Sequence, residues 1–467
     1  MIKATNLSRS QKKVLHWLVS IKYAKLLLLH FAMALLIYVH RPSAQFLLFG
    51  VLIFFLVYIF QSRNKNNEAL MAAAYIAGAE VFFRMNGGMI FYETGKYSVI
   101  LFLLIGLFFK GSSSKTTPFW IYLLILVPGI VIASQTLSYE VVFRKAIAFN
   151  LSGPVCLGVA AVYCYYKKVS LWQFDRILLM LLLPLIANMF YLFLYTPSIS
   201  ESLSTGTNSN FAASGGYGPN QISTVMGLGA FLLCTRLFTI KSRVINVIDL
   251  VLFGLMSYRA LVTFSRGGVL TGVICIVCFL ILLYYKRPDR EKAAVVKKII
   301  VASGTGLIIW MFSTIATNDL LLYRYTNRDA AGKLEQDITT GRAELISTEL
   351  QGFYYNPLVG VGVGKAKEFR MEETGVETAS HNEISRLLSE HGLLGLLAIL
   401  ILIFVPIIFW TKFKNNYYFL AFLAFWFLTI NHSAMRIALP AFVYGLALLY
   451  IVDDNKRPVH KKKIEAQ

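Results

Sequence analysis

The sequence predicts an all-α polytopic membrane protein, and three observations carry that prediction. Hydrophobic residues make up 57% of the 467-residue chain, above the ~45–50% of soluble domains. They come in blocks of roughly 20 residues, the length that crosses a ~30 Å hydrocarbon core as a helix. The cations sit in short runs between the blocks, the pattern that marks cytoplasmic loops. Lipid offers no partner to a free backbone N–H or C=O, so such blocks must close their hydrogen bonds as helices.

In order, the blocks predict about 12–14 transmembrane helices, near 23–39, 44–60, 68–84, 97–109, 118–134, 146–165, 177–195, 220–237, 246–263, 267–285, 298–316, 391–410, 417–431 and 436–452. The lysines of the first 25 residues, unaccompanied by any acid, set the N-terminus inside. Every even-numbered connection is then cytoplasmic and cationic: Arg63 and Lys65, Lys110 and Lys115, Lys167, Lys241, Lys286 to Lys298, and Lys412 with Lys414. The tail with Lys461, Lys462 and Lys463 also ends inside. The first block has no small-residue cleavage site after it and reads as an anchor.

Three regions result: helices 1–11 with short loops over 1–316, one large outer loop over 317–390, and C-terminal helices with a tail over 391–467. Residues 196–219, rich in Ser, Thr, Asn and Gly, read as a flexible outer loop ending at Pro219-Asn220. In the large loop, 341–355 reads as an amphipathic helix with Leu345, Ile346, Leu350 and Phe353 on one face. The glycine-rich turn 356–364 follows, and a second helix starts near Ser380 and runs into the membrane.

The net charge of +21 is spread over loops, with no basic stripe interleaved with aromatics, so membrane lipid rather than nucleic acid is the expected partner. All five cysteines (Cys156, Cys164, Cys234, Cys275, Cys278) fall in apolar blocks, which implies no disulfide framework and no metal site.

The residues able to carry chemistry gather on the outer side, where ionisable groups near the membrane are functional candidates set against a packing role. Arg266 sits in Ser265-Arg266-Gly267-Gly268, where two glycines allow close backbone approach and a guanidinium can offer its planar fork to phosphate; snorkelling to water is the alternative. Glu80 and Arg84 are spaced to pair on one helix, and Glu93 with Lys96 follows in the next outer turn. Arg144 stands beside Lys145 at the outer start of the sixth span. Arg342 opens the amphipathic helix, and His381-Asn382 opens the last helix before the membrane, with Glu390 nine residues on. A histidine there can take a proton from a sugar hydroxyl. His391, His432 and Arg436 lie near the same face. The glycines at 360–364 lack the GxxxxGK[ST] pattern of a nucleotide loop, and no Asp-x-Asp motif is present.

Ser265-Arg266-Gly267-Gly268, Gly341-Arg342, Asn356-Pro357-Leu358-Val359-Gly360-Val361-Gly362, His381-Asn382 and Ser389-Glu390-His391-Gly392-Leu393-Leu394-Gly395, with Gly218-Pro219-Asn220 ahead of them, resemble the O-antigen ligase and polymerase superfamily of bacterial envelopes. The resemblance covers about 200–410 by motif and the whole chain by topology.

It implies a GT-C-like, metal-independent, inverting glycosyltransferase that uses no cofactor and works at the periplasmic face of the inner membrane. Its donor would be an undecaprenyl-diphosphate-linked glycan, and its acceptor lipid A-core (ligase) or another glycan (polymerase). Arg266 then matches the arginine expected to bind the diphosphate, Arg342 the loop arginine, and His381 the base for the acceptor hydroxyl. Asn220, Gly267, Gly362, Asn382, Glu390, Glu80, Arg84 and Arg144 are the expected substrate-binding set. Lys365 and Lys367 depart from the family pattern, which has aromatic or apolar residues after the glycine segment. A polysaccharide flippase or other polytopic transporter is the competing class; it would show two pseudo-symmetric halves and mid-membrane polar sites.

Overall fold

A computed structural model describes residues 9–199, 206–335, 341–375, 378 and 380–452, with side chains from Ser20 onward. The cationic N-terminal side chains, including Lys12, Lys13 and His16, the loop residue Thr205, and the tail with His460 to Lys463 lie outside the described residues.

The chain is a helical bundle. Its helices are α1 (Arg9–Val39), α2 (Ser43–Ser62), α3 (Glu68–Met85), α4 (Thr94–Lys110), α5 (Thr117–Ile125), α6 (Val127–Thr136), α7 (Phe143–Cys164), α8 (Leu171–Tyr195), α9 (Pro219–Thr239), α10 (Arg243–Leu261), α11 (Arg266–Lys286), α12 (Asp289–Ala316), α13 (Leu320–Tyr325), α14 (Arg342–Tyr355), α15 (Lys365–Thr374), α16 (Glu383–Lys412), α17 (Phe419–Ser433) and α18 (Ala438–Ala447). The strands β1 (Lys168–Ser170) and β2 (Tyr450–Val452) pair in parallel, Lys168 opposite Tyr450.

Ten helical stretches among the described residues are long and apolar enough to cross a membrane, α5 and α6 counting as one, and α17 and α18 are shorter apolar helices. The remaining two predicted spans correspond to α3 and α4. Helix α4 is short, at 17 residues, and α3 carries Glu68, Glu80 and Arg84. The chain is therefore a multi-pass membrane protein, as its hydropathy predicts.

Burial sorts these helices into layers that hydropathy does not distinguish. In α3 every residue but Arg84 is buried. The apolar window of α9 is 89% buried, while that of α12 is 11% buried. So α3 and α9 form the bundle's interior and α12 stands at its lipid-facing edge.

Close packing of the interior rests on glycines. A Cβ on Gly78 would lie 2.4 Å from the Leu181 carbonyl oxygen of α8. One on Gly268 would lie 2.2 Å from the Ser223 backbone, and one on Gly227 would lie 2.3 Å from the Gly268 oxygen. Small residues let helix backbones meet where lipid supplies no hydrophobic drive between them.

Residues 196–199 and 206–218 of the loop after α8 depart from the flexible reading. Thr196 Oγ1 donates to the Ala212 carbonyl (2.8 Å) and the Asn210 N–H to the Thr263 carbonyl (2.9 Å). Buried Arg259 donates to the carbonyls of Leu192 and Thr196, at 2.7 and 2.6 Å, which closes the C-terminus of α8. The described part of this loop is thus anchored to the turn between α10 and α11. Its polarity reflects hydrogen bonding to neighbouring backbone rather than freedom.

The predicted helix from Ser380 into the membrane is α16, and it carries a break. Gly392 has φ 60° and ψ −137° inside it. The break leaves carbonyls without helical partners, and the glycine segment supplies them. The Val361 N–H donates to the Ser389 oxygen (2.9 Å) and Gly362 to the Glu390 oxygen (3.2 Å), while the Leu393 N–H donates to the Pro357 oxygen (2.7 Å). Gly360 and Gly362 hold φ of 75° and 97°, where a Cβ would strike Glu390 or Ala133. The run of glycines is a strap across a broken helix.

Candidate active site

Two cavities flank the start of α16. The smaller, about 340 Å3, is lined by residues from several separate stretches of chain, among them Asn220, Ser265, Arg266, Gly267, Arg324, Arg342 and Asn431. Arg266 is the first residue of α11, so its guanidinium stands where the unsatisfied N–H groups of a helix start add partial positive charge. Ser265 donates through Oγ to Asn220 Oδ1 (2.7 Å) and accepts from Ser223 Oγ (2.9 Å), fixing the turn to α9. Gly267 lies against the His432 ring, 2.6 Å from the site its Cβ would take. In the Ser-Arg-Gly-Gly motif, then, the serine ties the turn, the arginine supplies charge, and the two glycines permit close packing.

Arg324 belongs to this site and was not among the residues the sequence singled out. Its Nε donates to the Phe264 carbonyl (3.2 Å), and its Nη1 is buried without a hydrogen-bond partner. Arg266 hydrogen-bonds to Asn327 Oδ1 and to the Arg324 carbonyl. Burial lowers the affinity of Arg324 and Arg342 for their protons, and the repulsion of Arg266 adds to it. Glu335, outside the lining, offsets part of this at Arg324. Among the described residues the lining contains three arginines and no carboxylate. Crowded, partly dry cations of this kind form a site pre-arranged for an anion. In the sequence Arg324 is one loop cation among many, and only the return of α13 onto the turn before α11 reveals it.

His381 and Asn382 are in neither lining, although each cavity includes a residue next to them. Asn382 caps α16, accepting from the Ile384 and Ser385 N–H groups at 2.9 and 3.2 Å, and donates to Asn431 Oδ1 (3.0 Å) on the small-cavity side. Ser380, the neighbour of His381, lines the large cavity. The His381 carbonyl accepts from the Ala434 N–H (3.1 Å), and its buried Nδ1 has no hydrogen-bond partner. Burial, then the charges of Arg436, Arg342 and Arg370, lower the His381 pKa to about 4. The imidazole is held neutral at ordinary pH, the form that can accept a proton.

Glu80 and Arg84 pair as their spacing predicts, but inside the protein. Arg84 also donates to the carbonyls of Tyr92 (2.8 Å) and Arg436 (3.2 Å), and Glu80 accepts from the Ala438 N–H (2.5 Å). Arg436 in turn donates to the Ser380 carbonyl (2.7 Å). This chain of contacts runs from α3 to the histidine turn and positions it. Gly362 is committed to the strap across α16.

The larger cavity, about 1110 Å3, has Arg144 and Glu390 in its lining. Glu390 is ion-paired with Arg386 (2.6 Å) and accepts from the Gly364 N–H (2.9 Å). His391 is buried against Gly129 and Val363, outside both linings. The structure thus gathers Arg266, Arg342, Asn220 and Gly267 in one cavity and Arg144 and Glu390 in the other, while His381 and Asn382 line neither.

No curated protein and no solved structure matches the chain significantly. Residues 251–400, which contain all three cavity arginines and His381, match the family model described as O-antigen ligase, a likeness that covers about a third of the chain.

Proposed function

We propose that the chain transfers a glycan from undecaprenyl diphosphate to an acceptor hydroxyl at the periplasmic face of the bacterial inner membrane, as an O-antigen ligase or polymerase. The single observation that carries this reading is the cluster of Arg266, Arg324 and Arg342, in a lining without carboxylates, near a neutral, half-buried histidine. The family match supports glycosyl transfer in general.

In the proposed reaction the acceptor oxygen attacks the anomeric carbon of the donor sugar from the face opposite the diphosphate. The new C–O bond forms as the bond to the diphosphate breaks, with inversion. The hydroxyl proton passes to His381, and the electron pair leaves with undecaprenyl diphosphate. The three guanidiniums take up the charge that grows on the leaving oxygen, the part a divalent ion plays elsewhere, without reorganising during the step. The polyprenyl chain lies in lipid against the exposed apolar helix faces.

Glycan profiling of a deletion strain tests the proposal. Loss of the whole ladder, with single and polymerised glycan left on the carrier, is the ligase outcome; core bearing one repeat is the polymerase outcome. An unchanged profile overturns the proposal.

A further inference from the structure

The large cavity is not needed by the diphosphate, and its lining differs in kind from that of the arginine cavity. Carboxylates of Glu93, Glu140, Glu368 and Glu372 face it, against Arg144, Lys145 and Lys367. Lys365, just outside the lining, pairs with both Glu368 and Glu372 at 2.8 Å. The deepest charges, Arg386 and Glu390, pair with each other, and Arg386 pairs with Glu383 as well. No positive field is left to draw in an anion, and a phosphate ester would meet repulsion from Glu93 and Glu140.

The same lining carries aromatic rings that remain partly uncovered. Phe91, Tyr92, Tyr97 and Phe149 are between 36% and 54% exposed. Tyr92 and Phe149 pack with ring centroids 5.5 Å apart, Phe91 and Tyr97 with centroids 6.1 Å apart. A belt of aromatics at a membrane interface would serve lipid headgroups. Here the rings share a concave wall with carboxylates and the Asn150 amide, a mixture that suits a ligand with apolar faces and many neutral hydroxyls. Ser380, next to His381, lines this cavity and not the arginine one.

Resting on the transfer reaction proposed above, we infer that the large cavity holds the receiving end of the acceptor, and that this end is a glycan bearing neither phosphate nor carboxylate. Outer sugars of a lipid A-core and a repeat on the polyprenyl carrier can both present that chemistry.

The test isolates the product made by the full chain in its host and determines, by mass spectrometry and linkage analysis, the sugar that received the transferred glycan. A receiving residue free of acidic groups is expected; lipid A beneath it identifies a core acceptor, and carrier diphosphate beneath it a repeat. A phosphorylated or carboxylated receiving residue overturns the inference while leaving glycosyl transfer intact. Absence of any product that depends on the chain removes both readings together.

Placement is tested by filling the cavity. Ala148→Trp is expected to cut product roughly 10²-fold with the chain still in the membrane and donor accumulating on its carrier. Met371→Trp, at a side chain 48% exposed, repeats the test should the first variant fail to insert. Unchanged product from an inserted variant overturns the assignment of the cavity.

Discussion

The two cavities near the histidine turn are built from opposite materials. The small one presents three arginines, asparagines and backbone, with no acid and no aromatic ring among its described residues. The large one presents aromatic faces and charges of both signs. Their walls come from different parts of the chain: the small one largely from α9, α11, α13 and α14, the large one largely from the α3–α4 turn, the start of α7, and α15. In the proposed reaction the contrast is a division of labour. Uniform positive charge holds and stabilises an anion, whereas a balanced aromatic surface selects by shape and hydroxyl pattern.

That division can be probed at each of its members. At the histidine turn, His381→Ala should lower transfer about 10³-fold, with the chain still inserted. Wild-type transfer by that variant would put the base elsewhere. On the arginine side, Arg324→Gln should cost about 10² in kcat although no sequence motif marks the residue. A change confined to the acceptor KM would show that Arg324 serves the other cavity.

The pH profile should respond to the small cavity alone. The His381 pKa is lowered to about 4, so the proton-accepting form persists as pH falls, and kcat/KM should stay level from about pH 8 to about 5 before dropping. Arg342 disfavours the imidazolium. Its replacement in Arg342→Gln should raise the histidine pKa and move the acidic limb to higher pH, a shift readable in purified enzyme. The smallest effect is expected on the other side. Arg144→Ala removes one of several mixed charges and should raise the acceptor KM a few-fold, about 1 kcal/mol or less for an exposed charge, with kcat unchanged. A large fall in kcat there would mean that the two cavities are not separate in function.

Much of the fold was legible because hydropathy and helix length obey the same constraint, the thickness of the membrane. Thirteen of the fourteen predicted spans fall on helices, with α3 and α4 too short or too charged to be recognised by composition alone, while the last, 436–452, is helical only over Ala438–Ala447 and ends in strand β2. Arg266, Arg342 and His381 stand out in the sequence as candidates because their motifs combine glycine, proline or asparagine punctuation with an ionisable residue. Arg324 has no such punctuation. Glu80 and Arg84 showed their pairing through their spacing but not its destination, since nothing local says that the pair meets Arg436 across the bundle. The glycine segment was legible as a turn, yet its partner, the broken helix at Gly392, lies in another element.

Local physics is thus written in the amino acids themselves: which segments are helices, which are apolar enough for lipid, and which punctuated motifs carry charge. The assembled bundle settled which helices are interior, which arginines share a cavity, and which charges are matched by carboxylates. The physical reason is one of range. Helix formation and partition into lipid depend on neighbours a few residues away, whereas burial, the field at His381 and the balance of charge in a cavity depend on groups brought together from segments hundreds of residues apart.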